Sequence, residues 1–194
     1  LWIDYDNDGD MDLSTNNLGA SARLYRNNGG FNFSDVTTPS GFFGSVAYSF
    51  AGAWSDINVD GHLDHYATSR NISTSDSPNR LLTSNGDETF TDATELSMTA
   101  DSQGLGFGVT FTDYNRDGWP DIFIANDKVD THNSLLKNNG DGTFTDVSDP
   151  LSTGLIIDGM GVAAGDFNGN GFEDIYVTNS PILSNGFGGN ILSE

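Results

Sequence analysis

One nine-residue pattern, D-x-[DN]-x-[DN]-G-x-x-D, occurs four times and limits what this chain can fold into more than any other feature. The first copy reads Asp4-Tyr5-Asp6-Asn7-Asp8-Gly9-Asp10-Met11-Asp12, and the others begin at Asp56, Asp113 and Asp166. The copies are spaced 52, 57 and 53 residues apart. A fixed period of this length marks a chain built from stacked supersecondary units rather than one irregular core.

A second marker keeps the same period. It reads Asn28-Gly29-Gly30-Phe31-Asn32-Phe33-Ser34-Asp35, then Asn85-Gly86-Asp87-Glu88-Thr89-Phe90-Thr91-Asp92, then Asn139-Gly140-Asp141-Gly142-Thr143-Phe144-Thr145-Asp146. Asn-Gly between apolar segments is the strongest short hairpin signal, because both residues accept positive φ. Strands also flank each acidic loop. Gly- and Ala-rich runs precede it, at residues 50–54, 107–111 and 161–165, as suits strands crowded near an axis. β-Branched and aromatic runs follow it, at residues 63–67, 121–125 and 174–178. No segment sustains a 3.6-residue apolar period. One unit is therefore strand A, acidic loop, strand B, connector, strand C, Asn-Gly turn, strand D.

The expected fold is all-β: four-stranded blades of the β-propeller type, about three and a half repeats, at residues 1–45, 46–102, 103–157 and 158–194 of one region. Leu1-Trp2-Ile3 reads as the tail of a strand A, and residues 190–194 as the start of a strand C, with residues 181–186 the competing candidate. A ring closes with about 4–8 blades, so the expectation is a partial propeller or a piece of a larger one.

Oxygen side chains at loop positions 1, 3, 5 and 9, a main-chain carbonyl at 7 and Gly at 6 form the donor set of a hard cation such as Ca²⁺. The candidate ligands are Asp4, Asp6, Asp8, Asp10 and Asp12 in the first loop and Asp56, Asn58, Asp60, His62 and Asp64 in the second. The third loop offers Asp113, Asn115, Asp117, Trp119 and Asp121, and the fourth Asp166, Asn168, Asn170, Phe172 and Asp174. Asp10, His62, Trp119 and Phe172 occupy position 7 and would contribute only the carbonyl. Up to four calcium ions are expected, in a structural role. Position 12, where an EF-hand needs Glu, holds Thr15, Ala67, Ile124 and Val177, so these are hairpin loops and not EF-hands. Carboxylate count ranks the first loop tightest and the fourth weakest.

Composition excludes several classes. Seven Lys and Arg against 28 Asp and Glu give a net charge of −21, the wrong sign for nucleic acid or an anionic membrane. Fourteen of the 28 acids lie inside the four loops, so the charge is largely that of metal ligands. Four bound Ca²⁺ would bring it to about −13. Disorder, the alternative for an acidic Gly- and Ser-rich chain, conflicts with the 11% aromatic content and the periodic apolar runs. There is no Cys, so no disulfide can staple the fold. No apolar run is long enough for a membrane helix.

The acidic loop, preceded by a Gly-rich strand as in Gly104-Leu105-Gly106-Phe107-Gly108, resembles the FG-GAP repeat of integrin α-subunit propellers. With the Asn139–Asp146 element it is more similar still to the VCBS-type FG-GAP repeats of bacterial and secreted proteins. The resemblance covers nearly the whole chain. It implies a calcium-stabilised propeller, extracellular or at the cell surface with the periplasm as the alternative, acting in adhesion or ligand binding, with its calcium ligands on the four loops. Asn170 departs from the usual Asp.

The expected function is a non-catalytic binding or adhesion scaffold with a protein or carbohydrate ligand, met by the variable connectors. Phe42, Phe43 and Tyr48 are candidate contacts there, although inter-blade packing is the preferred reading of the two Phe. A subunit of an extracellular assembly, joined through open blade edges, is one alternative. Part of a propeller enzyme acting on polysaccharide is the other. Little supports the enzyme: His62, His65 and His132 are the only His, and the recurrent Asp35, Asp92 and Asp146 read as structural hydrogen-bonding residues. Of two Asn-x-Ser sequons, at Asn32 and Asn71, the second is the better glycan candidate.

Overall fold

The computed structural model describes residues 1–17, 22–42, 49–69, 78–100, 105–127, 132–148, 159–179 and 191–193. Blade 1 holds β1 (Trp2–Ile3), β2 (Asp12–Thr15), β3 (Arg23–Asn27) and β4 (Phe33–Asp35). Blade 2 holds β5 (Ser49–Ser55), β6 (Asp64–Ser69), β7 (Arg80–Ser84) and β8 (Phe90–Asp92), followed by α1 (Thr94–Ser97). Blade 3 holds β9 (Gly106–Thr112), β10 (Asp121–Asn126), β11 (Ser134–Asn138) and β12 (Phe144–Asp146). Blade 4 holds β13 (Gly159–Gly165), β14 (Asp174–Asn179) and β15 (Ile191–Ser193). Each sheet is an antiparallel meander in chain order, and the stack is open. The register repeats: Leu13, His65, Ile122 and Ile175, each directly after the last Asp of a loop, pair with strands A and C on either side.

The core lies between sheets, as in a propeller. Ile3, Tyr5 and Leu24 of blade 1 meet Phe42, from the connector after β4, and Leu82, Phe90 and Trp54 of blade 2. Ile57, Tyr66 and Leu81 meet Ile122, Ile124, Leu136 and Phe144. Phe123, Ala125 and Leu135 meet Ile175 and Val177. Sheets cover both faces of β6 and β10, so both are buried at every residue; β10 meets this with Ile122, Phe123, Ile124 and Ala125, whereas β6 buries Asp64, His65, Thr68 and Ser69 beside Tyr66 and Ala67. Burial of each large apolar side chain contributes about 1.5–3 kcal/mol. Strand A is Gly-rich because neighbouring sheets converge there: a Cβ on Gly106 would sit 2.6 Å from the Thr68 Cβ.

The strands, Asn-Gly turns and β15 fall where the sequence places them; residues 181–186, Phe43, Tyr48 and Asn71 lie outside the described residues. Phe42 is no exposed ligand contact. It is 1% exposed and stacks on Trp54 at 5.4 Å, which corrects the binding option and supports core packing. The single turn α1 has no counterpart in the sequence reading. It is too short to show periodicity and ends at Met98 in the left-handed conformation. Asp35, Asp92 and Asp146 do act structurally: each accepts the amide two residues on, from Thr37, Thr94 and Ser148. The same three hydroxyls then accept amides of strand C, from Leu24, Leu81 and Leu135.

Candidate metal centres

Each acidic loop takes the same conformation, set by its own side chains. The position-1 carboxylate accepts the amides of positions 5 and 6, Asp8 and Gly9 onto Asp4, at 3.1 Å each. Asp56, Asp113 and Asp166 repeat both bonds at 2.8–3.0 Å. Position 3 accepts the amide of position 5, and position 5 that of position 7, in all four loops. Positions 4 and 6 turn through positive φ. Gly fills position 6 throughout, at 86–90°, while Asn7, Val59 and Arg116 hold position 4 at 57–60°. A β-branched residue there costs about 1–2 kcal/mol, so the carboxylate bonds must hold Val59 in place.

In the first loop these bonds bring several oxygens together. Carboxylate oxygens of Asp4, Asp6 and Asp8 all lie within 4.8 Å of one another. Burial, then Asp12 and Asp8, push the Asp6 carboxyl up to about 6. In the second and third loops the position-3 amide eases this repulsion: Asn58 donates to Asp60 at 2.8 Å and Asn115 to Asp117 at 2.9 Å. In the fourth, Asn168 turns to Asp174 at 3.3 Å.

Position 9 is the buried member. Asp12, Asp64, Asp121 and Asp174 are at most 1% exposed. One oxygen accepts the position-2 amide, from Tyr5, Ile57 and Phe167 at 2.9–3.1 Å. The other accepts the last amide region of strand C, from Asn27, Ser84 and Asn138 at 2.7–2.8 Å. Burial raises the carboxyls of Asp12, of Asp64 (to about 6) and of Asp121 (to about 7).

Whether the loops fit a cation is tested at Asp121. The Tyr114 amide stands where Tyr5, Ile57 and Phe167 donate in the other loops and lowers the Asp121 pKa, but it is too poorly aligned to satisfy the buried Asp121 Oδ2 fully. A buried carboxylate oxygen short of a donor, on a loop whose other inward side chains are carboxylates and an amide, is a group a hard cation can satisfy. The donor set is all oxygen, so the residues fit calcium.

The candidate ligands lie on the four loops, one loop per blade, and among the described residues three carboxylates come within 4.8 Å of one another in the first. Three of the four position-7 side chains point elsewhere, onto their own blade's Asn-Gly turn: a Cβ on Gly29, Gly86 or Gly140 would meet Asp10, His62 or Trp119 at 3.6, 3.1 and 2.9 Å. His65 is buried against Trp54 and Phe42, and burial pushes its pKa down to about 3, so it is neutral core. His132 is exposed.

The ties between successive loops were not legible in the sequence. Asn7 donates to the Gly61 carbonyl at 3.0 Å, the Arg116 guanidinium sits 5.0 Å over the Phe172 ring, and Glu173 accepts from Thr112 and the Asp113 amide. Their only signal is that position 4 of one loop reaches positions 6 and 7 of the next. Among the described residues no helix is long and apolar enough to cross a membrane.

The family described as an FG-GAP-like repeat matches residues 4–67, 71–124 and 113–177. No curated protein matches the chain.

Proposed function

The chain belongs to the FG-GAP-like repeat family, whose repeats are typical of extracellular proteins, and from that premise we propose a calcium-stabilised, non-catalytic binding module that works outside the cell. Calcium would be held by side chains at positions 1, 3, 5 and 9 and the carbonyl at position 7 of each loop. When bound it supplies positive charge among the carboxylates. The residues themselves do the rest: position 1 folds the loop, and position 9 ties the loop to strand C. The observation that carries this reading is the convergence of Asp4, Asp6 and Asp8 oxygens within 4.8 Å, in a loop whose hydrogen-bonded conformation recurs in all four blades.

The test is thermal unfolding in calcium and in EDTA. Each filled site stabilises by about 2.7 kcal/mol at a hundredfold excess over its Kd, so calcium should raise Tm by many degrees. An unchanged Tm refutes the reading.

One observation favours a second reading, a subunit of an extracellular assembly. Trp2 and Phe33 of blade 1, with ring centroids 6.1 Å apart, occupy the positions of Trp54 and Phe90, which in blade 2 receive blade 1. Trp2 is 57% exposed, so this face has the chemistry of a blade-binding face, whether the blade belongs to the same chain or to a second copy. Concentration-dependent association that Trp2→Glu abolishes would support an assembly; a monomer at high concentration would reject it.

A further inference from the structure

The gaps between blades are built from equivalent positions, and one is filled where the next is open. Between blades 1 and 2, Arg26 of strand C reaches Glu88 on the next Asn-Gly turn at 2.7 Å. The Tyr5 ring, at loop position 2, adds its bulk beside Phe90, with centroids 6.1 Å apart. Between blades 2 and 3 the same three positions hold Thr83, Gly142 and Ile57. The ion pair and the phenol are gone together. What remains is a groove of about 460 Å³.

The groove has three chemical zones. Its floor is apolar, from Ile57, Leu81 and Phe144. Its rim carries short neutral hydrogen-bonding groups and one carboxylate, including Thr83, Ser84 and Asp141. Trp119 forms a wall, its indole seated on the Gly140 backbone, where any Cβ would lie 2.9 Å from the ring. At the equivalent place in blade 2 stands His62 over Gly86.

We propose that this inter-blade groove is a binding site for a neutral saccharide. A pyranose has an apolar C–H face and a hydroxylated edge, matching an indole wall beside a polar rim. The volume lies in the range of small-ligand sites, about 300–1,000 Å³. The chain's net charge of −21, with Asp141 on the rim, selects against anionic sugars. The assignment rests on the binding-module reading and gives it a ligand class and a location.

The test titrates the calcium-loaded chain with glucose, galactose, mannose, fucose and N-acetylglucosamine, by calorimetry and by tryptophan fluorescence. Binding of at least one sugar is expected, with an emission change that Trp119→Phe removes. Trp119→Ala should weaken affinity about tenfold, as loss of a ring contact does. The double variant T83R/G142E rebuilds the blade 1–2 ion pair inside the groove. Glu88 already holds φ 67° at the equivalent position, and no atom lies within 4 Å of a Cβ at Gly142, so this variant should fold and keep its calcium-dependent Tm while losing sugar binding. If T83R/G142E binds as well as the parent, the groove is not the site. If the calcium shift is intact and no sugar binds, the saccharide assignment falls while the module reading stands. If sugar binds but calcium leaves Tm unchanged, the groove stands and the calcium reading falls.

Discussion

Asp64 offers a direct way to separate the loop's two jobs, folding its backbone and holding a cation. Its side chain is fully buried and accepts the Ser84 amide at 2.8 Å and the Ile57 amide at 3.1 Å. Asp64→Ala strands both amides. Each stranded donor costs about 1–2 kcal/mol, so the variant should lose about 2–4 kcal/mol even without metal. In a chain of this size that lowers Tm by about 5–15 °C. Asp64→Asn keeps one acceptor and removes a negative charge from the vicinity of Asp56 and Asp60, so in EDTA it should lose about half as much or less. In calcium the order tightens differently: both variants should forfeit the stabilisation of one site, leaving the gap to the parent wider than in EDTA. Differential scanning fluorimetry of the three proteins in calcium and in EDTA measures all of this. Two results would refute the reasoning. Equal Tm for Asp64→Ala and the parent in EDTA would mean the carboxylate does not hold the backbone. A full calcium shift in Asp64→Asn would mean it is not a ligand.

Three further outcomes are expected. Gly106→Val should destabilise by about 1–3 kcal/mol in chemical denaturation, because its Cβ would lie 2.6 Å from that of Thr68. Titration with chelator, followed by ion occupancies in crystals, should empty the fourth loop first, since Asp166 and Asp174 are its only carboxylates among positions 1, 3, 5 and 9. At Asp92, burial pushes the carboxyl up, but bonds from Thr94 and the Arg80 charge outweigh it and hold it below the usual carboxylate range. A carboxyl lowered in the fold stabilises above its unfolded pKa, near 3.9, and that contribution is lost as pH falls through the folded value. Asp92→Asn should therefore be less stable at neutral pH and lose less than the parent on acidification below about pH 4, read by urea midpoints.

Strands, turns and acidic loops could be read from residues because each is decided within about ten positions. An Asp at loop position 1 finds its partners at positions 5 and 6, and an Asn-Gly pair makes its own turn. The recurrent Asp of strand D was legible for the same reason: its partner stands two residues on. What stayed hidden depends on neighbours from another blade. Phe42 is in the core because Trp54 and Phe90 surround it. Thr83 and Gly142 are ordinary residues 59 positions apart in the sequence, and only their pairing across a gap opens the groove. His65 would pass as a strand-B polar residue until both its ring nitrogens are seen to be buried without partners. α1 escaped for a different reason, since one turn of helix is shorter than the period that announces helices.

The ties between successive blades bear on how such a chain finds its order. Repeats this alike can pair with the wrong neighbour while folding. Each gap, however, has its own chemistry: Arg26 with Glu88 in the first, Arg116 over Phe172 in the third. A blade set beside the wrong partner forfeits that match and leaves a charge facing an uncharged surface. The small differences among the repeats thus act as addresses, and the sequence of blades is written in the spaces between them.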